Sequence, residues 1–274
     1  MSLLTFTGVK QMIATMQHNI EIIPIPAFEN NYIWLIHNGK DAIVVDPGDA
    51  NPVIETLTRL GLTLNSILIT HHHHDHIGGV TALLIQFPDC VIYAPTLERY
   101  SFKHIQVCQS DVVVIDALNL QFTILDVPGH TIGHVAYFAE PANDSPLLFC
   151  GDVLFGAGCG RVFDNHYIEA YLSLQKLATL PPTTKIYCTH EYTLNNIQFA
   201  LTLEPNNQAL QTRHLATQQL RKNQVPTLPS NIALELATNP FLRCTSQEII
   251  ASIQALNETP ERVFTLIRKL IDGY

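Results

Sequence analysis

The segment Thr70-His71-His72-His73-His74-Asp75-His76-Ile77-Gly78-Gly79 restricts what this chain can fold into more than any other. It places five of the 13 histidines within six residues, directly after the apolar run SILIT, which reads as a buried strand. In an extended or turning backbone alternate residues point the same way, so His71 and His73 can hold one metal ion. Asp75 and His76 then fall on the next turn and can hold a second ion beside it. Gly78-Gly79 allows a tight turn before a helix expected from Ile77 to Phe87. A purification tag would sit at a terminus and would not continue into Asp-His-x-Gly-Gly.

Three further ligand-type residues repeat the arrangement of an apolar run followed by a donor. FTILDVPG leads to His130, PLLFCG to Asp152 and KIYCT to His190. Taken singly, His130 is an ordinary loop histidine and Asp152 an ordinary turn residue. Ends of neighbouring strands share one edge of a sheet, so together these residues can converge. Imidazole and carboxylate suit zinc, manganese or iron, and this many donors exceed the needs of one tetrahedral ion. Two ions are expected. Seven ligands for two ions leave positions open to water, unlike a non-catalytic zinc module closed by four ligands.

The rest of the chain frames this site. With 274 residues, 47% hydrophobic and 14% charged, it can bury a large core and is neither disordered nor a coiled coil. Strands are expected at IEIIPIP, YIWLIH, DAIVVD, SILIT, CVIYAP, LQFTILDVPGH, HVAYFAE, PLLFCGD and KIYCTH. Between them, NPVIETLTRLG reads as a helix with Asn51 at its N-cap, Pro52 first and Gly61 closing it. Ile168 to Leu180 reads as another helix. After His190 the patterns turn helical, at 194–203, 208–223, 246–255 and 260–271. Residues 1–190 carry 17 acidic and eight basic side chains, the whole net charge of −9, whereas residues 191–274 carry seven of each. The expected organisation is an N-terminal extension (1–18), a mixed α/β catalytic domain (19–190) and a helical substrate-binding domain (191–274). The acidic charge argues against nucleic acid or an anionic membrane as partner. No apolar stretch reaches the roughly 20 residues that span a bilayer. Six cysteines without a CxxC pair fit reduced thiols in the cytoplasm.

THHHHDHIGG, PGHTIGH, CGDVLF and THEY, in this order, resemble the metallo-β-lactamase superfamily, and within it glyoxalase II, the hydroxyacylglutathione hydrolases. IPAFENNYIWLI, GCGRVF and NPFLR extend the resemblance over residues 20–274. It implies an α/β (α+β) fold, a four-layer αβ/βα sandwich followed by a helical C-terminal domain. It puts His71, His73 and His130 on one metal and Asp75, His76 and His190 on the other, with Asp152 bridging. His72, His74 and His134 are not ligands in that pattern. The implied reaction is attack of a hydroxide, oriented by Asp75, on the carbonyl of S-(2-hydroxyacyl)glutathione such as S-D-lactoylglutathione. The cofactors are two divalent ions, zinc with iron or manganese as alternatives, and the enzyme is expected to be a cytoplasmic monomer. A thiol with a pKa of about 8.5 leaves as thiolate with little need of a general acid.

For substrate contacts, the resemblance points to Arg161, Tyr192 and Arg268. Where the family commonly ends Arg-x-x-Lys-Asp, this chain reads Arg268-Lys269-Leu270-Ile271-Asp272, so Ile271 replaces a lysine. Lys269 lies about 200° round the helix from that position and is an imperfect substitute. Phe163 stands where some members have tyrosine, and Asp164-Asn165-His166 replaces the more usual Glu-Gly-Thr. These departures keep open a thioesterase with a different thiol carrier. A mononuclear iron persulfide dioxygenase is a further alternative, but it would not need Asp75, His76, His190 or the helical domain. A nucleic-acid-processing member would add basic segments that this chain lacks.

Overall fold

The computed structural model describes residues 20–273; the expected extension, 1–18, lies outside the described residues. The chain opens with an antiparallel meander, β1 (Glu21–Ala27), β2 (Asn31–His37) and β3 (Asp41–Val45). It crosses through α1 (Ala50–Leu60) to β4 (Thr63–Leu68), which pairs parallel with β3. Two short helices, α2 (His74–Ile77) and α3 (Val80–Gln86), lead to β5 (Val91–Pro95) and then β6 (Ile105–Val107), both added in parallel. These six strands form the first sheet in sequence order.

The second sheet begins with antiparallel β7 (Val112–Ile115), β8 (Leu120–Asp126), β9 (Val135–Ala139) and β10 (Leu147–Gly151). A small hairpin, β11 (Leu154–Phe155) and β12 (Gly158–Cys159), precedes α4 (Tyr167–Ala178). Then β13 (Lys185–Cys188) joins β10 in parallel. Helices α5 (Thr193–Leu203) and α6 (Gln208–Lys222) follow. Strand β14 (Ser230–Asn231) closes the sheet beside β13, and α7 (Ile232–Thr238), α8 (Gln247–Ser252) and α9 (Pro260–Ile271) complete the chain.

The layering follows from side-chain alternation. Along fully buried β2, Tyr32, Trp34 and Ile36 enter the core that contains the second sheet, while Ile33 and Leu35 join Val53, Leu57, Val80 and Leu83 beneath α1 and α3. A strand buried on both faces loses the apolar–polar alternation and reads as continuous hydrophobicity. Leu174 and Leu177 of α4 and Phe264 and Ile267 of α9 belong to the same core as the second sheet. The result is a sandwich of two six-stranded sheets, each with helices against it, followed by a helical C-terminal region.

Two local expectations are corrected. Asp49, not Asn51, caps α1 by accepting from the Asn51 backbone, so the helix starts at Ala50 and Pro52 falls within its first turn; Gly61 does close it, at φ 67°. The helix expected over 77–87 is two pieces, because a turn already forms at His74–Ile77 and Gly78-Gly79 separates it from α3. Neither glycine has positive φ there. They are required by close approach, since a Cβ on Gly78 would lie 2.7 Å from the Gly48 carbonyl oxygen and one on Gly79 2.5 Å from the Ala50 nitrogen. Strands β6, β7, β11, β12 and β14 are additions to the sequence expectations; β6, β11, β12 and β14 are too short to show a period, and Val112-Val-Val-Ile115 is apolar throughout, so the alternate burial of its residues is not legible in the sequence.

Candidate metal centre

All four donor segments leave the sandwich at one edge. His71 follows β4, His130 follows β8, Asp152 follows β10 and His190 follows β13. The two sheets are tied there by an isolated bridge between Asn31 and His190, with the Tyr32 N–H donating to the Thr189 carbonyl at 2.7 Å. The edge is therefore fixed by backbone rather than by the donors themselves.

The donors form three overlapping groups: His71, His73 and His130; His71, His76 and Asp152; and Asp75, His76 and His190. His73 Nδ1 is 3.0 Å from both His71 Nε2 and His130 Nε2. Asp152 sits between the sets. Its Oδ2 is 3.5 Å from His130 Nε2 and 3.3 Å from His190 Nε2, and its Oδ1 is 3.4 Å from His76 Nε2. Asp75 Oδ2 lies 3.6 Å from His76 Nε2 and 3.4 Å from His190 Nε2. His72 and His74 are exposed, as their alternation requires.

The outer partners decide which ring nitrogen faces inward. His130 Nδ1 is 2.8 Å from the Arg161 carbonyl, and His190 Nδ1 2.8 Å from Asn30 Oδ1. Both partners only accept, so Nδ1 carries the proton and Nε2 keeps its lone pair. Asp46 extends the same control to two rings. Its Oδ2 accepts from His76 Nδ1 at 3.0 Å and from Thr70 Oγ1 at 2.7 Å, and that hydroxyl oxygen in turn accepts from His71 Nδ1 at 3.1 Å. Asn31 Nδ2 donates to Asp75 Oδ2 at 3.0 Å. His134 stacks on His71 and its Nε2 accepts from the Asp152 N–H, beside the site rather than in it. Sequence reasoning missed Asn30, Asn31, Asp46 and Thr70; Asp46 at the end of DAIVVD obeys the strand-end rule that found the others.

These residues fit a cation. His76 Nε2 and Asp152 Oδ1 are buried and lack a hydrogen-bond partner, a situation that costs about 1–3 kcal/mol for each such group. Burial disfavours charge on Asp152, but His76 and His190 outweigh it and hold its carboxyl well below the usual range. Burial, with His130 and His72 adding to it, lowers His73 to about 4, and burial likewise lowers His71 and His130. Neutral imidazoles and ionised carboxylates are what a divalent ion requires.

Comparison with known proteins follows this geometry. A model described as the metallo-beta-lactamase superfamily matches residues 27–190, and one described as the hydroxyacylglutathione hydrolase C-terminus matches residues 191–274. A hydroxyacylglutathione hydrolase of Methylobacillus flagellatus is 52% identical over 250 residues, covering 91% of this chain and 98% of its own. The chain belongs to the hydroxyacylglutathione hydrolases. That of Albidiferax ferrireducens is 47% identical over 238 residues, 87% of this chain and 92% of its own. The crystal structure of ETHE1 from Myxococcus xanthus, 23% identical, has a TM-score of 0.61 over 92% of this chain and 97% of that one, a likeness of fold alone. Membership makes the chain a thioester hydrolase of a superfamily that binds divalent metal through clusters of this kind.

In this hydroxyacylglutathione hydrolase the expected substrate contacts divide. Arg161 is exposed, with its guanidinium 5.6 Å from the centre of the Phe163 ring, and that ring packs edge-on against His73 and His130. Tyr192 stacks on His190 with ring centroids 4.7 Å apart. Both stand at the rim of the centre. Arg268 does not. It is buried, with Nη1 donating to the Cys159 carbonyl at 2.8 Å and Nη2 to Asp272 Oδ1 at 3.0 Å, so its guanidinium is engaged by the chain itself. The reason is helical: Arg268 is on the α9 face of Val263, Phe264 and Ile267. Lys269 is exposed and lies 5.3 Å from the Tyr167 ring, while Ile271 packs against the core. Among the described residues no helix is long and apolar enough to cross a membrane.

Proposed function

We propose that this chain hydrolyses S-(2-hydroxyacyl)glutathione, S-D-lactoylglutathione in particular, to glutathione and the 2-hydroxy acid, with two zinc ions. The observation that carries the reading is the position of Asp152 between two donor sets that share no other carboxylate. His71, His73 and His130 would hold one ion and Asp75, His76 and His190 the other, with Asp152 common to both. When bound, the ions supply Lewis acidity and bring water to its hydroxide form near neutral pH.

The chain's own groups do the rest. Burial opposes charge on Asp75, but His76 and the Asn31 amide outweigh it and keep its carboxyl below the usual range. It therefore stays an acceptor at neutral pH, and Asn31 aims it to orient the attacking nucleophile. Arg161 offers an exposed guanidinium to a substrate carboxylate, and Tyr192 its hydroxyl to the peptide. Lys269, on the exposed side of α9, offers a cation to a second carboxylate. The thiol departs as thiolate, which explains a site without a separate proton donor. Residues 19–190 would then be the catalytic domain and 191–274 the substrate-binding domain of a monomer, and five buried free thiols support a reducing, cytoplasmic setting.

The test is a thioester-hydrolysis assay on the purified chain with metal analysis of the same sample, comparing S-D-lactoylglutathione with thioesters of other small thiols. Two zinc ions per chain and preference for the glutathione ester are expected. Asp152→Ala should lose both metal and rate; a variant that kept two metals and full activity would sink the assignment.

A further inference from the structure

The segment from Phe155 to Gly160 is buried, and its own two-residue hairpin pairs only part of its backbone. Side chains from the helical region do so instead. Asn239 Nδ2 donates to the carbonyls of Phe155 and Gly158 at 3.2 and 2.9 Å, and Asn196 Nδ2 to that of Gly156 at 3.0 Å. Arg268 Nη1 serves Cys159 and Gly160, and Glu235 Oε2 accepts the Ala157 N–H at 2.8 Å. Asn239 and Glu235 are fully buried and hydrogen-bonded to each other at 3.1 Å. Glu235 is fixed in turn by Arg213 at 2.6 Å.

The moulded segment has a metal-site residue at each end. Asp152 precedes it, and the Gly160 N–H returns to the Val153 carbonyl at 3.3 Å. Arg161 follows it, and the Arg161 carbonyl holds His130 Nδ1. The fit leaves no slack: a Cβ on Gly156 would meet Thr193 at 2.4 Å, and one on Gly160 would meet the Asp152 carbonyl oxygen at 1.8 Å. We propose that Asn239 and Glu235 are positioning residues for the metal centre, acting through the 155–160 backbone on Asp152 and His130. The helical region then builds the site as well as flanking the substrate. Without that region the segment's buried carbonyls would be unpaired and its shape undetermined. This rests on the proposed metal-ligand roles of Asp152 and His130.

The experiment is a competition titration of zinc against a chelating dye on the metal-stripped full chain, with thermal unfolding of each variant. Asn239→Ala should weaken zinc about tenfold or more, the range seen when groups behind ligands are lost. Asn239→Asp can still accept from the Phe241 N–H but has at most one proton to offer, so it cannot donate to both carbonyls and should also weaken zinc. Leu57→Ala, buried under the other sheet, should lower the unfolding temperature and leave zinc affinity at the wild-type value. Asn196→Ala, which removes one bond only, gives a smaller loss of affinity and serves if the Asn239 variants do not fold. Wild-type affinity in the Asn239 variants, or in Asn196→Ala when it stands in for them, overturns the proposal while leaving the hydrolase reading intact. A wild-type chain that takes up no zinc overturns both.

Discussion

Asp46 illustrates how much a single side chain can settle. By accepting from His76 directly and from His71 through Thr70, it fixes which nitrogen of each ring faces inward. Its partner His76 also sets a proton balance. Burial opposes charge on this imidazole, but Asp152 and Asp46 outweigh it and hold its pKa well above the usual value. Any proton held on His76 in the metal-free chain would have to leave if His76 ligates an ion. His71, His73 and His130 are held low and have none to give. Calorimetry in two buffers of different ionisation heat should find proton release on zinc uptake at pH 7 that is smaller in His76→Gln than in the wild type. Zinc affinity should rise with pH until His76 is neutral before binding. Equal release in the two would refute a protonated His76. The cysteines give a second residue-scale expectation. Cys108 is exposed, while burial pushes Cys90 and Cys244 to about 12 and Cys159 to about 11. A disulfide reagent at pH 8 should titrate one thiol in the native protein and six after denaturation.

At the level of elements, the turn that carries Asp75 and His76 depends on how closely it packs. Gly78 and Gly79 let it rest on the backbone of residues 47–50, the loop that also carries Asp46 into the site. A methyl group on Gly79 would meet backbone atoms of Asp49 and Ala50, at 2.6 and 2.5 Å, which cannot swing aside. Gly79→Ala should cost about 1–3 kcal/mol in urea unfolding of the metal-free chain, the usual range for overpacking. A stability within roughly 0.5 kcal/mol of the wild type, the scatter of neutral surface changes, would refute the close packing. Helix α9 shows the opposite outcome of periodicity. Its buried face runs through Val263, Phe264, Ile267 and Arg268, so the arginine is drawn inward with its neighbours. The helical pattern over 260–271 is legible in the sequence; that the guanidinium finds two carbonyls of another segment is not.

On the scale of the whole molecule, the helical region shares the core of the second sheet. Leu174 and Leu177 pack in one cluster with Phe241, Phe264 and Ile267, and β14 pairs with β13. A chain ending at residue 190 would expose that face as an apolar patch beyond what a soluble monomer carries. Residues 20–190 expressed alone should aggregate or bind a hydrophobic dye without a cooperative unfolding transition. A soluble fragment with such a transition and bound zinc would show that the second region is dispensable.

The sequence by itself determined the donors and the edge on which they meet. Each of His71, His130, Asp152 and His190 follows an apolar run, and strand ends of a sheet have only one place to converge. It also determined the shift from strands to helices after His190, because periodicity and charge are local properties. Only the tertiary structure decided which nitrogen of each ring faces the centre, since Asp46, Asn30 and the Arg161 carbonyl approach from segments 30 to 160 residues away. It alone removed Arg268 from the rim and enlisted Asn239 and Glu235 beneath it. Those outcomes depend on partners that share no period and no neighbourhood in the chain, and they exist only once the two sheets and the helices have packed.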